Sequence, residues 1–325
     1  MPYYGMPEGT EFEVKGFAFN KAIITGLLRE RYGFDGIVCT DWLLLKGIRA
    51  FGREIIEAKA WGVENLSVSE RAQLVLEAGA DQFGGETCPE VIVELVRSGK
   101  VSEERINQSV RRLLREKFRL GLFDHPYLDP AMAAKIIGKA EFKAKGELAQ
   151  RKSIVLLKNG REKPVLPLAG KPKIYVENVK GEVASQYGEL VADLADADFA
   201  ILRLKAPYEP REGFLDAMFH AGDLDFKSPE KERILAILVK VPTIVDIYLE
   251  RPAVIPEIAE KCAGLVANFG ANDSAVLDVI FGRFQPGGKL PFELPSSMEA
   301  VRKQKEDLPR DSENPLFPFG YGLTY

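Results

Sequence analysis

Apolar positions along the first 124 residues switch between helical and strand spacing. Ile23, Ile24, Leu27 and Leu28 fall on one helical face, with Asn20 placed to cap that helix and Gly33 to end it. The short apolar run Gly36-Ile37-Val38-Cys39-Thr40 predicts a buried parallel strand, with Asp41-Trp42 where it ends. Residues 43 to about 66 are mixed and read as a loop. Ser67 or Ser69 caps a helix carrying Ala72, Val75 and Leu76, and Gly79 stops it. Ala80-Asp81-Gln82-Phe83 predicts the next strand, closed by Gly84-Gly85-Glu86. Two helices follow. In the second, Ser102 precedes Ile106, Val110, Leu113, Leu114 and Phe118, and its cations Arg111, Arg112, Arg115 and Lys117 are expected to serve the helix dipole and solvation.

The pattern breaks at Asp124-His125-Pro126-Tyr127-Leu128-Asp129-Pro130, which marks a domain boundary, with a helical linker over 125–152. Strand patterns then recur at 153–157, 173–177, 199–204, 243–248 and 264–267, with helical patterns at 182–193 and 231–239. This alternation predicts an α/β layer with a mostly parallel sheet over 153–296. The closing stretch 297–325 is Pro-rich and apolar, and is expected to pack on the body.

Composition narrows the chemistry. Lys plus Arg number 44 against 48 Asp plus Glu, so no charge excess invites nucleic acid, and no apolar run approaches the ~18–20 residues of a membrane span. Cys39, Cys88 and Cys262 are scattered without a CxxC pair, and His125 and His220 are the two histidines; neither a zinc site nor an imidazole-rich metal site is expected. Gly84-Gly85 and Gly287-Gly288 match no nucleotide-binding signature. Residues 1–5 lack the basic and apolar regions of a signal peptide, and localisation stays open.

The sharpest candidate is Asp41. At the carboxyl end of a parallel strand it faces the ligand crevice beside the aromatic Trp42, or else it caps a following helix. Residues 33–42, Gly-Phe-Asp-Gly-Ile-Val-Cys-Thr-Asp-Trp, resemble the nucleophile motif of glycoside hydrolase family 3, the β-glucosidase-like enzymes. Val101-Ser102-Glu103-Glu104-Arg105-Ile106 through Gly121-Leu122-Phe123-Asp124 resembles the end of that family's barrel domain, and Ser153-Ile154-Val155-Leu156-Leu157-Lys158-Asn159 the opening of its second domain. Phe281-Gly282, Pro286-Gly287-Gly288-Lys289-Leu290-Pro291 and Phe317-Pro318-Phe319-Gly320-Tyr321-Gly322 resemble its closing motifs, so the likeness runs over essentially the whole chain.

The resemblance implies a retaining double displacement without cofactor or metal. Asp41 would attack the sugar, and a Glu on a loop of the second domain would serve as acid/base. The corresponding loop is Lys205-Ala206-Pro207-Tyr208-Glu209-Pro210-Arg211-Glu212-Gly213. Glu209, following Pro207-Tyr208, is the first choice and Glu212 the second; the plainer reading is two solvated glutamates around Arg211. Trp42 is expected to wall the aglycone side, and Tyr4 to bind substrate at the end of the family's sixth strand. His220 either lines the site or packs beneath it.

The expected fold is therefore the C-terminal part of a (β/α)8 barrel over 1–124, with strands at 1–4, 36–40 and 80–83, followed by the α/β sandwich. The family's earlier barrel strands are expected to be missing. Three strands without their barrel partners leave an unpaired edge, so the chain alone is expected to be weak or inactive and to need the missing barrel half, and that half or self-association is an expected partner beside a β-linked oligosaccharide or glycoside substrate. The alternative is a non-catalytic carbohydrate-binding or assembly fragment of the same α/β class.

Overall fold

The computed structural model describes residues 4–6, 8–50, 52–212, 216–305 and 308–325. The chain divides into two compact units, Met1–Met132 and Ala133–Tyr325.

In the first unit the Asn20 side chain accepts the Ile23 amide and opens the helix Ala22–Arg31, which winds as a π-helix. Strand β1 spans Cys39–Trp42, beginning three residues later than the sequence pattern suggests and taking in Asp41 and Trp42 as its last two residues. The stretch expected to be a loop holds a hairpin, β2 (Ile48–Ala50) antiparallel to β3 (Arg53–Ile56); these strands are too short to produce a readable alternation. Helix α1 (Val68–Ala78) starts from a capping box between Ser67 and Glu70 and stops at Gly79, whose φ of 106° is left-handed. Strand β4 (Gln82–Gly84) pairs in parallel with β1. Helices α2 (Pro89–Arg97) and α3 (Glu103–Arg119) follow, the second capped by Ser102.

Among the described residues the parallel pairing of this unit is confined to β1 and β4. Of the strand expected over 1–4, residues 1–3 lie outside the described residues, and Tyr4 itself belongs to no strand: it is exposed, and its carbonyl accepts the Phe17 amide. The core gathers Phe19, Ile24, Val38, Leu45, Val75, Leu76 and Leu95.

Helices α4 (Pro130–Ile136) and α5 (Ala140–Ser153) lead toward the second sheet. That sheet comprises β5 (Val155–Asn159), β6 (Lys173–Glu177), β7 (Glu189–Leu190), β8 (Phe199–Lys205), β9 (Thr243–Tyr248) and β10 (Gly264–Asn268), ordered β5-β10-β9-β8-β6-β7. All neighbours run parallel except β5, which is antiparallel to β10. The helix expected over 182–193 is instead a single turn, α6 (Gly181–Ala184), followed by β7, because Gly188 and the edge pairing with Lys173 and Ile174 interrupt the pattern.

Successive strand residues feed opposite cores. Ala200, Leu202, Val245, Ile247 and Leu265 face one side, packed by α7 (Glu230–Leu238) and α8 (Pro256–Lys261), while Ile201, Ile244 and Val266 face α9 (Asp273–Ile280). Burial on both faces explains why these strands read as continuous apolar runs rather than alternation. Past α10 (Met298–Lys303), the Pro-rich end pairs back onto the unit: the Leu323 amide donates to Leu156 and the Leu294 amide to Phe317.

Candidate active site

In the first unit, Asp41 stands at the carboxyl end of β1, half-buried, and its Oδ1 accepts the Trp42 amide at 2.8 Å. Oδ2 takes no hydrogen bond among the described residues. No helix begins here, so the capping alternative for Asp41 falls away. The strand end is drawn tightly onto β4. Thr40 Oγ1 donates to the Asp41 carbonyl at 2.9 Å and accepts the Gly84 amide at 2.9 Å. A Cβ on Gly84 would lie 2.3 Å from the Thr40 carbonyl oxygen, so only glycine permits this approach. The next residue, Gly85 (φ +63°), lies directly under the Trp42 ring, where a Cβ would sit 2.4 Å from the indole. Trp42 is thus backed by bare backbone while 63% exposed, an aromatic face open to solvent.

Beyond Trp42 the chain turns through Leu43, whose φ of 60° is costly for a residue bearing a Cβ. The turn is held by Glu86, whose Oε1 accepts the amides of Leu45 at 2.9 Å and Lys46 at 3.0 Å. Burial pushes the Glu86 carboxyl up, and those two amides offset part of the rise. Arg71 completes the clamp by donating to the Leu45 carbonyl at 2.9 Å. Glu86 was legible only as the residue closing a strand; its hold on a loop 40 residues earlier is a tertiary fact.

The opposite end of the same strand pair is closed. Asp81 Oδ2 accepts Arg29 at 2.6 Å and the Val38 amide at 3.0 Å, while Oδ1 accepts Ser109 at 2.8 Å and Arg112 at 3.0 Å. Its side chain is wholly buried. Burial alone would raise its carboxyl, but the Val38 amide, the Ser109 hydroxyl and the two guanidinium groups outweigh that and hold it below the ordinary value. Arg112 and Arg115 also engage Asp35. These two cations therefore bind carboxylates of distant segments, which corrects the expectation that the α3 cations serve the dipole and solvation.

In the second unit, the loop leaving β8 is fixed at two points. The Ala206 amide donates to the Tyr248 carbonyl, and the Glu209 amide to the Ala221 carbonyl, both at 2.9 Å. The Glu209 side chain lies over Gly222, where a Cβ would meet its Oε2 at 2.4 Å. Arg251 donates to the carbonyls of Ala221 and Gly222 at 2.6 and 2.7 Å. His220 stacks on Tyr208, ring centroids 3.6 Å apart and nearly parallel, and its Nδ1 pairs with Glu250. It therefore packs against the neighbour of Glu209. Glu209 is exposed, as are Arg211 and Glu212; Gly213 lies outside the described residues. Among the described residues no cluster of His, Cys, Asp and Glu is arranged to hold a metal ion.

Two family models match the chain: the glycosyl hydrolase family 3 N terminal domain over residues 8–116 and the glycosyl hydrolase family 3 C-terminal domain over residues 175–325. A probable β-glucosidase C of Aspergillus flavus is 51% identical over 327 residues, covering 100% of this chain and 51% of the relative. A periplasmic β-glucosidase/β-xylosidase of Dickeya chrysanthemi is 39% identical, covering 98% of this chain and 50% of the relative. The chain thus spans about half the length of the curated relatives it matches. Among solved structures, a β-glucosidase of Erythrobacter marinus superimposes with a TM-score of 0.75 at 22% identity, over 94% of this chain and 50% of that one. A β-glucosidase of Listeria innocua gives 0.73 at 22% identity, over 95% and 49%. These two likenesses concern the fold.

Proposed function

The chain belongs to glycoside hydrolase family 3, and on that premise we propose that it carries the catalytic carboxylates of a retaining β-glycosidase acting on β-linked glucosides. We assign residues 1–124 to the C-terminal part of a (β/α)8 barrel, 125–152 to a linker, and 153–296 to an α/β sandwich on which 297–325 packs.

Asp41 is the nucleophile. The observation that carries this reading is its position at a parallel strand's carboxyl end, one carboxylate oxygen oriented by the Trp42 amide and the other open to attack an anomeric carbon. Attack on one face of the sugar expels the leaving oxygen and forms a glycosyl-enzyme; water then cleaves it with retention. Glu209 protonates the leaving oxygen and afterwards takes the proton of the water, with Glu212 the second choice. Its loop is pinned at Ala206 and Ala221, which limits the freedom of that carboxylate. Trp42 offers its exposed ring to the C–H face of a sugar. Tyr4, on the exposed entry segment, is the remaining substrate contact.

The test is covalent. A 2-fluoro β-glucoside inactivator should label Asp41, located by peptide mass spectrometry, and a label on any other carboxylate would overturn the assignment. The assay on an aryl β-glucoside is run on the chain alone and with the part of the Aspergillus flavus relative that it does not span supplied in trans. Glu209→Ala should slow substrates with poor leaving groups far more than aryl glucosides, and azide should restore its second step. If Glu212→Ala shows that pattern instead, the acid/base assignment moves while the nucleophile stands.

A further inference from the structure

Three consecutive residues after β4 meet three successive points of the segment that carries Asp41. The Gly84 amide donates to Thr40 Oγ1, Gly85 lies beneath the Trp42 ring, and Glu86 Oε1 accepts the Leu45 and Lys46 amides. The first contact seats the strand, the second floors the ring, and the third fixes the turn that follows. Residues 84–86 thus form a template for residues 40–46.

The turn between ring and anchor is strained. Leu43 sits at φ 60°, a conformation that a residue with a Cβ keeps only when its surroundings impose it. The Lys59 amide donates to the Leu43 carbonyl at 2.7 Å, and Arg71 donates to the Leu45 carbonyl. Arg71 also donates to the carbonyls of Val63 and Glu64, at 3.2 and 2.6 Å, so it serves the segment leading into α1 as well. Glu86 is different. Among the described residues both of its side-chain hydrogen bonds go to this turn, and its Oε2 is buried without a hydrogen-bond partner. A carboxylate held in that way is costly to folding, with the charges of Lys46 and Arg71 offsetting part of the cost. Release of its two amides lets Leu43 relax toward an ordinary backbone conformation. The Cα–Cβ bond of Trp42, one residue earlier, then turns the indole away from Gly85.

We propose that Glu86 is a positioning residue for leaving-group selectivity: it holds the Trp42 ring in the orientation against which the second sugar of a longer glucoside stacks. Glu86 acts through the turn and not by touching substrate. The selectivity rests on the glycosidase reading of Trp42; the anchoring of the ring does not.

Anchoring is tested on the chain itself. It contains two tryptophans, so Trp61→Phe leaves the Trp42 indole to report its own freedom by fluorescence anisotropy. Glu86→Ala in that background should lower the anisotropy, and Glu86→Gln, which keeps an acceptor for both amides, should match the parent. If Glu86→Ala does not fold, Glu86→Asp takes its place, drawing the carboxylate back by one methylene. Unchanged anisotropy in the folded variant would overturn the proposal.

Selectivity is read with the part of the Aspergillus flavus relative that the chain does not span supplied in trans. Glu86→Ala should lower kcat/KM for cellotetraose about tenfold relative to an aryl β-glucoside, mainly through KM, as loss of one stacking face implies. Trp42→Ala should show the same shift, and the double variant should lose no more than Trp42→Ala alone, because both changes remove one contact. Losses that multiply, or a shift in Trp42→Ala that Glu86→Ala does not reproduce, would overturn the role of Glu86. No shift in Trp42→Ala would instead overturn the aglycone reading of Trp42 and the selectivity with it, while the anisotropy still decides the anchoring.

Discussion

At the amino ends of β1 and β4, Asp81 is wholly buried, with Arg29, the Val38 amide, Ser109 and Arg112 all donating to its two oxygens. At the carboxyl ends of the same two strands, Asp41 is half-buried and keeps one oxygen open beside an exposed tryptophan. Both residues are aspartates on one strand pair, yet their surroundings give them different work. A carboxylate whose hydrogen-bonding capacity is exhausted inside the protein holds segments together and has nothing left to offer a substrate. One oriented by a single amide retains a lone pair for chemistry and contributes little to folding. Parallel α/β folds divide labour between strand ends in this way.

The sharpest way to break the contrast is Asp41→Ala. With the part of the relative that the chain does not span supplied in trans, turnover of aryl β-glucosides should fall by about 10⁴-fold or more while the melting temperature of the chain stays nearly unchanged; a collapse of both would show that Asp41 also holds the fold. Asp81→Ala should do the reverse in urea denaturation, costing about 3–5 kcal/mol because Arg29 is left partly buried without its counter-ion and Arg112 keeps only Asp35. A loss below about 1 kcal/mol would mean that the buried network is dispensable.

The same network makes a pH prediction. The folded Asp81 carboxyl is held below its ordinary value near 3.8, so the folded state binds its proton less readily than the unfolded chain does. Its contribution is therefore complete above that value and is lost as pH falls through the lower folded value. Acid unfolding should be steeper in the wild type than in Asp81→Asn, and identical slopes would contradict the assignment. Gly84→Ala sharpens the view of the open end: a methyl 2.3 Å from the Thr40 carbonyl must push β1 and β4 apart, at about 1–3 kcal/mol. A small stability change is expected for Trp42→Ala, within about 1 kcal/mol since the ring is mostly exposed. It should weaken longer β-glucosides more than short aryl ones; equal loss on both would make the ring a packing element.

Much of this was legible from local pattern. Ser67, Gly79 and Ser102 punctuate helices because capping is settled within four residues of chain. Strands such as Lys173–Glu177 and Thr243–Tyr248 fall where their apolar runs predict them. Misreadings came where a contact between distant segments decided the outcome. The hairpin of β2 and β3 offers too few residues for a period, and the segment around Gly188 was claimed by an edge strand rather than a helix. Arg112 and Arg115 looked like solvated helix cations because Asp35 and Asp81, their partners, are at least 31 positions away.

By itself the sequence determined the α/β class, the family likeness and the placement of Asp41-Trp42 at a strand end, since each depends on residues adjacent in the chain or on ordered motifs. Only the tertiary structure decided that Asp81 is spent on structure while Asp41 is left open, that Glu86 clamps the turn after Trp42, and that Arg203 on β8 is shared between Asp246 and Asp273. The physical reason is that the character of a carboxylate or guanidinium is set by how many of its hydrogen-bonding sites are filled and how deeply it is buried. Both are properties of neighbours brought together by strand pairing across 40 or more positions, which no local periodicity records.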